Sequence, residues 1–212
     1  MIISPTEGKK MEDSTPMPTA EEAIMRLKEG NERFVSEQLL HPHEQKSWRE
    51  KLESGQAPFA VILGCSDSRV IPELIFDQGL GDLFVVRVAG NVVGVDVTAS
   101  VEYAVDHCGS PLVVVMGHSK CGAITATLDH FHDPGTEPAE VVELMNRLEP
   151  AVMNLPEEET RDAKIERAVR RNVELSVRRL ARVPDLAKGQ REGRVKVVGA
   201  IYDLHTGKVE FL

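Results

Sequence analysis

The sequence predicts an α/β fold: a mostly parallel central sheet flanked by helices, with an N-terminal helical arm. Three observations carry this. Four short, largely apolar runs, "FAVIL" (59–63), "LFVVRVA" (83–89), "LVVVM" (112–116) and "VKVVGAIYD" (195–203), look like strands covered on both faces. Stretches with apolar residues at helical spacing separate them, as in βαβ units. Glycine stands at the end of the first and third runs, and chemically active side chains follow at once, where open parallel sheets place their ligands.

The elements follow in chain order. "MIISPTEGKKMEDSTPMP" starts with only a few apolar residues, then turns charged and proline-rich. It lacks the apolar core of a secretory signal and is too acidic for a transit peptide. Residues 1–18 are therefore expected to be a flexible N-terminal arm, and residues 19–212 a single domain. Thr19 followed by Glu22 is a capping box that opens a helix running to about residue 38, with Ile24, Leu27 and Phe34 on its apolar side. A polar stretch around "HPHEQKSWRE" precedes the first strand. Val97, Val101, Ala104, Val105 and Cys108 predict a helix between the second and third strands, with Cys108 on its core face. "AITATLDHF" reads as a helix after Cys121, and residues 138–153 and 158–183 as two more. Ile165, Val169, Val173, Leu180 and Val183 form the stripe of the last. "HDPGTEP" (132–138) reads as a loop. The terminal "KVEFL" alternates and suits an edge strand.

The bulk numbers exclude several roles. The 212 residues are 42% hydrophobic and 28% charged, with net charge -9 and a pI of about 5.3. That balance argues against a nucleic-acid partner. No apolar run approaches the roughly 18 residues that span a bilayer, so no membrane partner is expected. The expected location is cytoplasmic. Three cysteines in a reducing compartment do not suggest a disulfide framework, leaving core filler, nucleophile or metal ligand.

The chemistry concentrates at two strand ends. Cys65 follows the first strand directly. His118 follows the third, and Cys121 stands three residues on, at the start of the next helix. Neighbouring parallel strands would gather these three. Cys, His and Cys suit zinc, and three protein ligands leave a fourth position open, as at catalytic zinc sites. A cysteine nucleophile with a histidine base, or no site at all, are the alternatives. Asp67 and Arg69 lie beside Cys65. A guanidinium can grip a carboxylate at two points, so Arg69 would hold Asp67 off the metal and keep the fourth position free. The plainer reading is a surface ion pair.

"CSDSRV" (65–70) together with "GHSKCG" (117–122) resembles the β-class carbonic anhydrases. The similarity is clear over roughly residues 20 to 130 and weaker in "GAIYDLHTGKVEFL". The resemblance implies one Zn²⁺ per chain on Cys65, His118 and Cys121, with Asp67 and Arg69 as the catalytic dyad. It implies carbonate dehydratase activity, the reversible hydration of carbon dioxide to bicarbonate and a proton by zinc-bound hydroxide. It also implies an α/β fold and a homodimer or tetramer of dimers, with N-terminal helices wrapping the neighbour. Asp67 would orient the hydroxide, and Gly122 would offer a backbone N–H. Gln56 (from the neighbouring subunit), Phe84 and Tyr103 match the substrate pocket of the plant-like subgroup. Ala89, in "RVAGN", replaces a pocket valine and implies a wider pocket. Ile62 stands where the other subgroup has a tryptophan at a regulatory bicarbonate site. The proton shuttle has candidates only by type: His41, His43, His107, His130 and His132. Two rival functions stand beside this one. A hydrolase of carbonyl sulfide or carbon disulfide would share the motif. A non-enzymatic zinc-binding protein would have no need of the Asp67–Arg69 pair.

Overall fold

A computed structural model describes residues 16–130 and 135–212. Most of the expected N-terminal arm, His132 and the first half of the 132–138 loop lie outside the described residues.

Helix α1 (Ala20–Val35) begins where the capping box places it. Thr19 Oγ1 accepts from the Glu22 amide, and the Glu22 carboxylate accepts from the Thr19 amide at 2.8 Å. A short helix α2 (Lys46–Leu52) crosses the polar stretch without burying a residue. Strand β1 (Ala60–Gly64) leads to a single turn of helix, α3 (Pro72–Ile75), and then to β2 (Leu83–Arg87). After a 3-10 turn at Ala89–Asn91 come α4 (Val95–Asp106), β3 (Leu112–His118), α5 (Gly122–Asp129), α6 (Ala139–Val152) and α7 (Arg161–Leu180). Helix α8 (Pro184–Arg191), β4 (Lys196–Tyr202) and β5 (Val209–Phe211) complete the described chain.

The five strands form one sheet in the order β2-β1-β3-β4-β5. The first four are mutually parallel, and β5 runs antiparallel along the edge, as the alternation of "KVEFL" suggests. Because side chains alternate across a strand, β1 and β3 feed two cores. Val61, Leu63, Val113 and Val115 pack with Val97, Val101 and Val105 of α4, Val173 and Leu180 of α7, and Leu186 of α8. Ala60, Ile62, Leu112, Val114 and Met116 face the other way, onto Ala23 and Leu27 of α1 and Ile75 of α3. Each fully buried Leu or Val side chain contributes about 1.5–3 kcal/mol, so these two layers hold the helices on both faces.

Three expectations are corrected. Strand β2 is not covered on both faces. It is an outer strand, half-buried along its whole length, because only β1 pairs with it. Cys108 is not on the core face of α4. The helix ends at Asp106, and Cys108 lies in the following turn, half-buried. The last long helix stops at Leu180, and Val183 instead caps the start of α8, whose first residue is a proline.

Candidate metal centre

The register of β1 and β3 builds the site. Gly64 pairs with Met116 in the parallel ladder. Cys65, one residue beyond, therefore emerges beside the Gly117–His118 end of β3. The chain then turns through Lys120, at φ 54°, and Cys121 becomes the N-cap of α5. Gly117 is required here: a Cβ on it would stand 2.6 Å from Val173 of α7, so only glycine lets that helix close over the end of β3.

The donor atoms of Cys65, His118 and Cys121 all lie within 4.8 Å of one another, and all three residues are buried. His118 Nδ1 is 2.9 Å from the Ser119 carbonyl oxygen, which can only accept, so Nδ1 carries a proton. That leaves the lone pair of the neutral ring on Nε2, which is buried and without a hydrogen-bond partner. A buried polar atom left unsatisfied is costly, and a cation among these donors would satisfy it. The thiols make the same point. The hydrogen bond from Cys121 draws the Cys65 thiol well below its ordinary value, with burial opposing and His118 and the Asp67 and Gly90 amides assisting. Its pairing with Cys65, and burial, push Cys121 up. Two thiols held this close to each other and to a buried imidazole nitrogen suit a soft or borderline cation. The residues present thus fit zinc by donor type and number.

Asp67 stands above this cluster. Arg69 donates to both of its carboxylate oxygens, Nε to Oδ1 at 2.9 Å and Nη2 to Oδ2 at 2.7 Å, and the Arg69 amide adds a third bond at 3.0 Å. These bonds hold the carboxyl far below the usual range, although its partial burial opposes them. Asp67 Oδ2 is 3.9 Å from His118 Nε2, too far for a hydrogen bond but near enough to meet a group seated between them.

Among the residues read from the sequence as pocket walls, four stand together in two pairs. The rings of Phe84 and Tyr103 lie 6.3 Å apart. Ala89 and Gly122 are exposed neighbours of Gly90 and Ala123, and a Cβ on Gly90 would come within 3.3 Å of the Ala123 Cβ. Gly122 is the first residue of α5, and a Cβ there would meet nothing within 4 Å. Gln56 is exposed in the loop before β1. Of the histidines, His43 pairs with Asp82, His41 with Glu44, and His107 lies against Tyr103 with ring centroids 5.0 Å apart. His130 is exposed at the end of α5.

The sequence reading missed two supports. Arg87, the last residue of β2, donates to the Cys65 carbonyl at 3.0 Å and to the Asp67 carbonyl at 2.7 Å, clamping the loop that carries both side chains. Its signal was available, a lone cation inside "LFVVRVA". The second is the backbone N–H of Gly90, which donates to Cys65 Sγ at 3.3 Å and which no side-chain pattern could disclose. A cavity of about 710 Å³ between α7 and the β4–β5 edge is lined by Ser119, Arg170, Asp203 and Lys208 but by none of the three candidate ligands. Donor chemistry locates this site better than cavity volume does.

The family model described as carbonic anhydrase matches residues 60–209, from the start of β1 to the start of β5 and across the whole cluster. The chain belongs to the β-carbonic anhydrase family. Curated relatives include carbonic anhydrase 2 of Mycobacterium tuberculosis strain H37Rv, 43% identical over 186 residues, with 86% of this chain and 87% of that protein covered. The carbonic anhydrase of Mycolicibacterium smegmatis is 41% identical, with 87% and 89% covered. Among solved structures, one of the two tetrameric β-carbonic anhydrases of Sordaria macrospora superimposes with a TM-score of 0.71 at 27% identity, covering 87% of this chain and 93% of that one. The α/β fold read from the sequence is the β-carbonic anhydrase fold. Among the described residues, no helix is long and apolar enough to cross a membrane.

Proposed function

We propose that this β-carbonic anhydrase catalyses the reversible hydration of carbon dioxide to bicarbonate and a proton, with one zinc ion held by Cys65, His118 and Cys121. The observation that carries the reading is the buried, unpartnered Nε2 of His118 within reach of two thiols, with the Asp67–Arg69 pair directly above. Zinc would supply a Lewis-acid centre that lowers the pKa of a water toward neutrality.

The chain's own residues do the rest. Arg69 keeps Asp67 ionised throughout the physiological range and fixes both carboxylate oxygens. An aspartate so acidic is a poor store for a proton. Asp67 instead acts as an acceptor, taking a hydrogen bond from an O–H of the water or of the bicarbonate hydroxyl and so selecting its orientation. Arg87 holds the Cys65–Asp67 backbone so that this acceptor keeps its place. Phe84 and Tyr103 supply apolar wall suited to an uncharged gas. The N–H of Gly122, at the start of α5, would donate to an oxygen of the substrate. The small side chain of Ala89 leaves space beside Gly90.

The active unit is a homodimer or a tetramer of dimers in the cytoplasm, of the plant-like subgroup, with Gln56 delivered to the neighbouring subunit's pocket. Three features support this: the tetrameric assembly named for the Sordaria relatives, the outermost position of β2 in the sheet, and the exposure of Gln56. Stopped-flow measurement of carbon dioxide hydration, with zinc-loaded and chelator-treated protein, tests the proposal. Rapid hydration that vanishes with the metal is expected. Equal rates before and after metal removal would overturn it.

A further inference from the structure

The 3-10 turn after β2 has an unusual requirement. Gly90 lies at φ 64° and ψ 17°, in the left-handed region, and a Cβ on it would stand 2.9 Å from Leu148. Glycine is needed there, but glycine does not hold itself there, since it has the widest conformational freedom of any residue. Its N–H is the group that meets Cys65 Sγ, so some other contact has to fix it.

That contact comes from α7. Asn172 is buried, on the core side of the helix among Ala168, Val169 and Val173. Asparagine is a poor helix former and a poor core residue, so its position calls for a reason. Its Nδ2 donates to the Gly90 carbonyl at 2.8 Å, across 82 residues of sequence. Among the described residues no other hydrogen bond of this amide is found, and its remaining side borders a cavity of about 190 Å³ shared with Val92, Val93 and Ser176. The Asn172 bond pins the carbonyl on one side of Gly90 while the N–H on the other side points at the sulfur.

We infer that Asn172 is a positioning residue for the metal centre: through Gly90 it aims a backbone N–H at Cys65 Sγ and so stabilises the thiolate that binds the metal. This rests on the three-ligand reading above. N–H···S bonds lower the electron density at a ligating sulfur, and outer partners of metal ligands typically change affinity 10- to 100-fold when removed. Nothing in the sequence pattern of α7 required an amide at this position, since apart from Ser176 the other buried residues of the helix are apolar.

The test compares Asn172→Leu, which replaces the amide by an apolar group of similar size, and Asn172→Asp, which keeps the shape but loses the donor. Leu180→Ala, a core truncation on the same helix remote from the turn, controls for lost stability. Zinc affinity is read by competition with a chromophoric chelator. Cobalt-substituted protein reports the sulfur-to-metal charge-transfer band. Both Asn172 variants should bind zinc about 10- to 100-fold more weakly and shift the band, while Leu180→Ala should lower the melting temperature and change neither. Affinity within twofold of wild type and an unmoved band in Asn172→Asp, or equal loss of affinity in Leu180→Ala, would overturn the inference. Wild-type protein that binds no zinc or cobalt would instead refute the three-ligand reading itself.

Discussion

Arg69 holds Asp67 by both carboxylate oxygens, with Nε 2.9 Å from Oδ1 and Nη2 2.7 Å from Oδ2, while Oδ2 stays 3.9 Å from the buried Nε2 of His118. The two residues are separated by one position, and the Arg69 amide closes the turn onto the same Oδ1 at 3.0 Å. A free carboxylate at that height would be a competent zinc ligand. On the function proposed above, the guanidinium would decide whether Asp67 orients a substrate or blocks it.

Removing the guanidinium separates those two roles. Arg69→Ala should retain its zinc yet lose most hydration activity, with Asp67 released toward the metal. Asp67→Ala should also retain zinc, but with the fourth position open and the orienting acceptor gone. Hydration rates fall in both, by roughly 10- to 100-fold or more, and crystal structures of the two variants distinguish the causes. Near-normal rates in Arg69→Ala would reduce the pair to an ordinary surface ion pair.

The three ligands should fail together. Cys65→Ser, His118→Ala and Cys121→Ser should each purify with far less than the wild-type zinc content, measured by elemental analysis. Full metal content in all three would show that the cluster is not the site. His118→Ala is the most telling of the set, because His118 is completely buried and its Nε2 has no other partner.

Two glycines at the ends of one motif should respond oppositely to alanine. Gly117→Ala places a methyl 2.6 Å from Val173 and 3.1 Å from Val169. Overpacking of that kind costs about 1–3 kcal/mol, so urea denaturation should show a clear loss. Gly122→Ala meets nothing within 4 Å and replaces glycine by the best helix former in α5. It should leave stability unchanged or raise it by up to about 1 kcal/mol. Equal stability loss in both would contradict the packing described.

Acid should weaken the attachment of the segment after α1. Burial pushes the Asp77 carboxyl up, but the Arg33 guanidinium, 2.6 Å from Oδ2, and the Leu40 and His41 amides outweigh it and hold the carboxyl below its ordinary value. A carboxyl lowered in the folded state contributes stability that is complete above the ordinary carboxylate range and is lost as pH falls through the folded-state value. Asp77→Asn should therefore cost about 1.5–3 kcal/mol at pH 7, and the difference from wild type should shrink below about pH 4. A difference that stays constant from pH 7 to pH 2 would show that the charge has no part in it.

How far the sequence could be read depended on whether a feature was local. The capping box of Thr19 and Glu22 fixed the start of α1 to the residue, because its logic is complete within four positions. The apolar runs located every strand, and the polar groups after Gly64 and Gly117 located the site. Sheet order was not legible in the same way. "LFVVRVA" reads like an interior strand, yet β2 is outermost, and only pairing across the whole sheet determines that. Helices α2 and α3, of seven and four residues, are too short to display a period. Arg87 and Asn172 were passed over as a charge in a strand and a polar residue in a helix stripe. Each is explained only by a carbonyl that the fold brings to it from 20 or more residues away. Cys108 misled for the opposite reason: helical spacing continues past Asp106 in the sequence after the helix itself has ended.

The ladder between β1 and β3 also sets the order in which the molecule can be assembled. Cys65 directly follows one strand and His118 ends the other, and α3, β2 and α4 lie between them in the chain. No excised loop or hairpin contains the donor set. A cation captured by these residues bridges two central strands and acts as a cross-link that the unfolded chain cannot form. Its binding free energy is thereby added to the cooperative unfolding of the whole sheet rather than to a local turn. If the cluster holds zinc as proposed, metal supply and shelf life become the same variable: protein made under zinc limitation would be not only idle but shorter-lived.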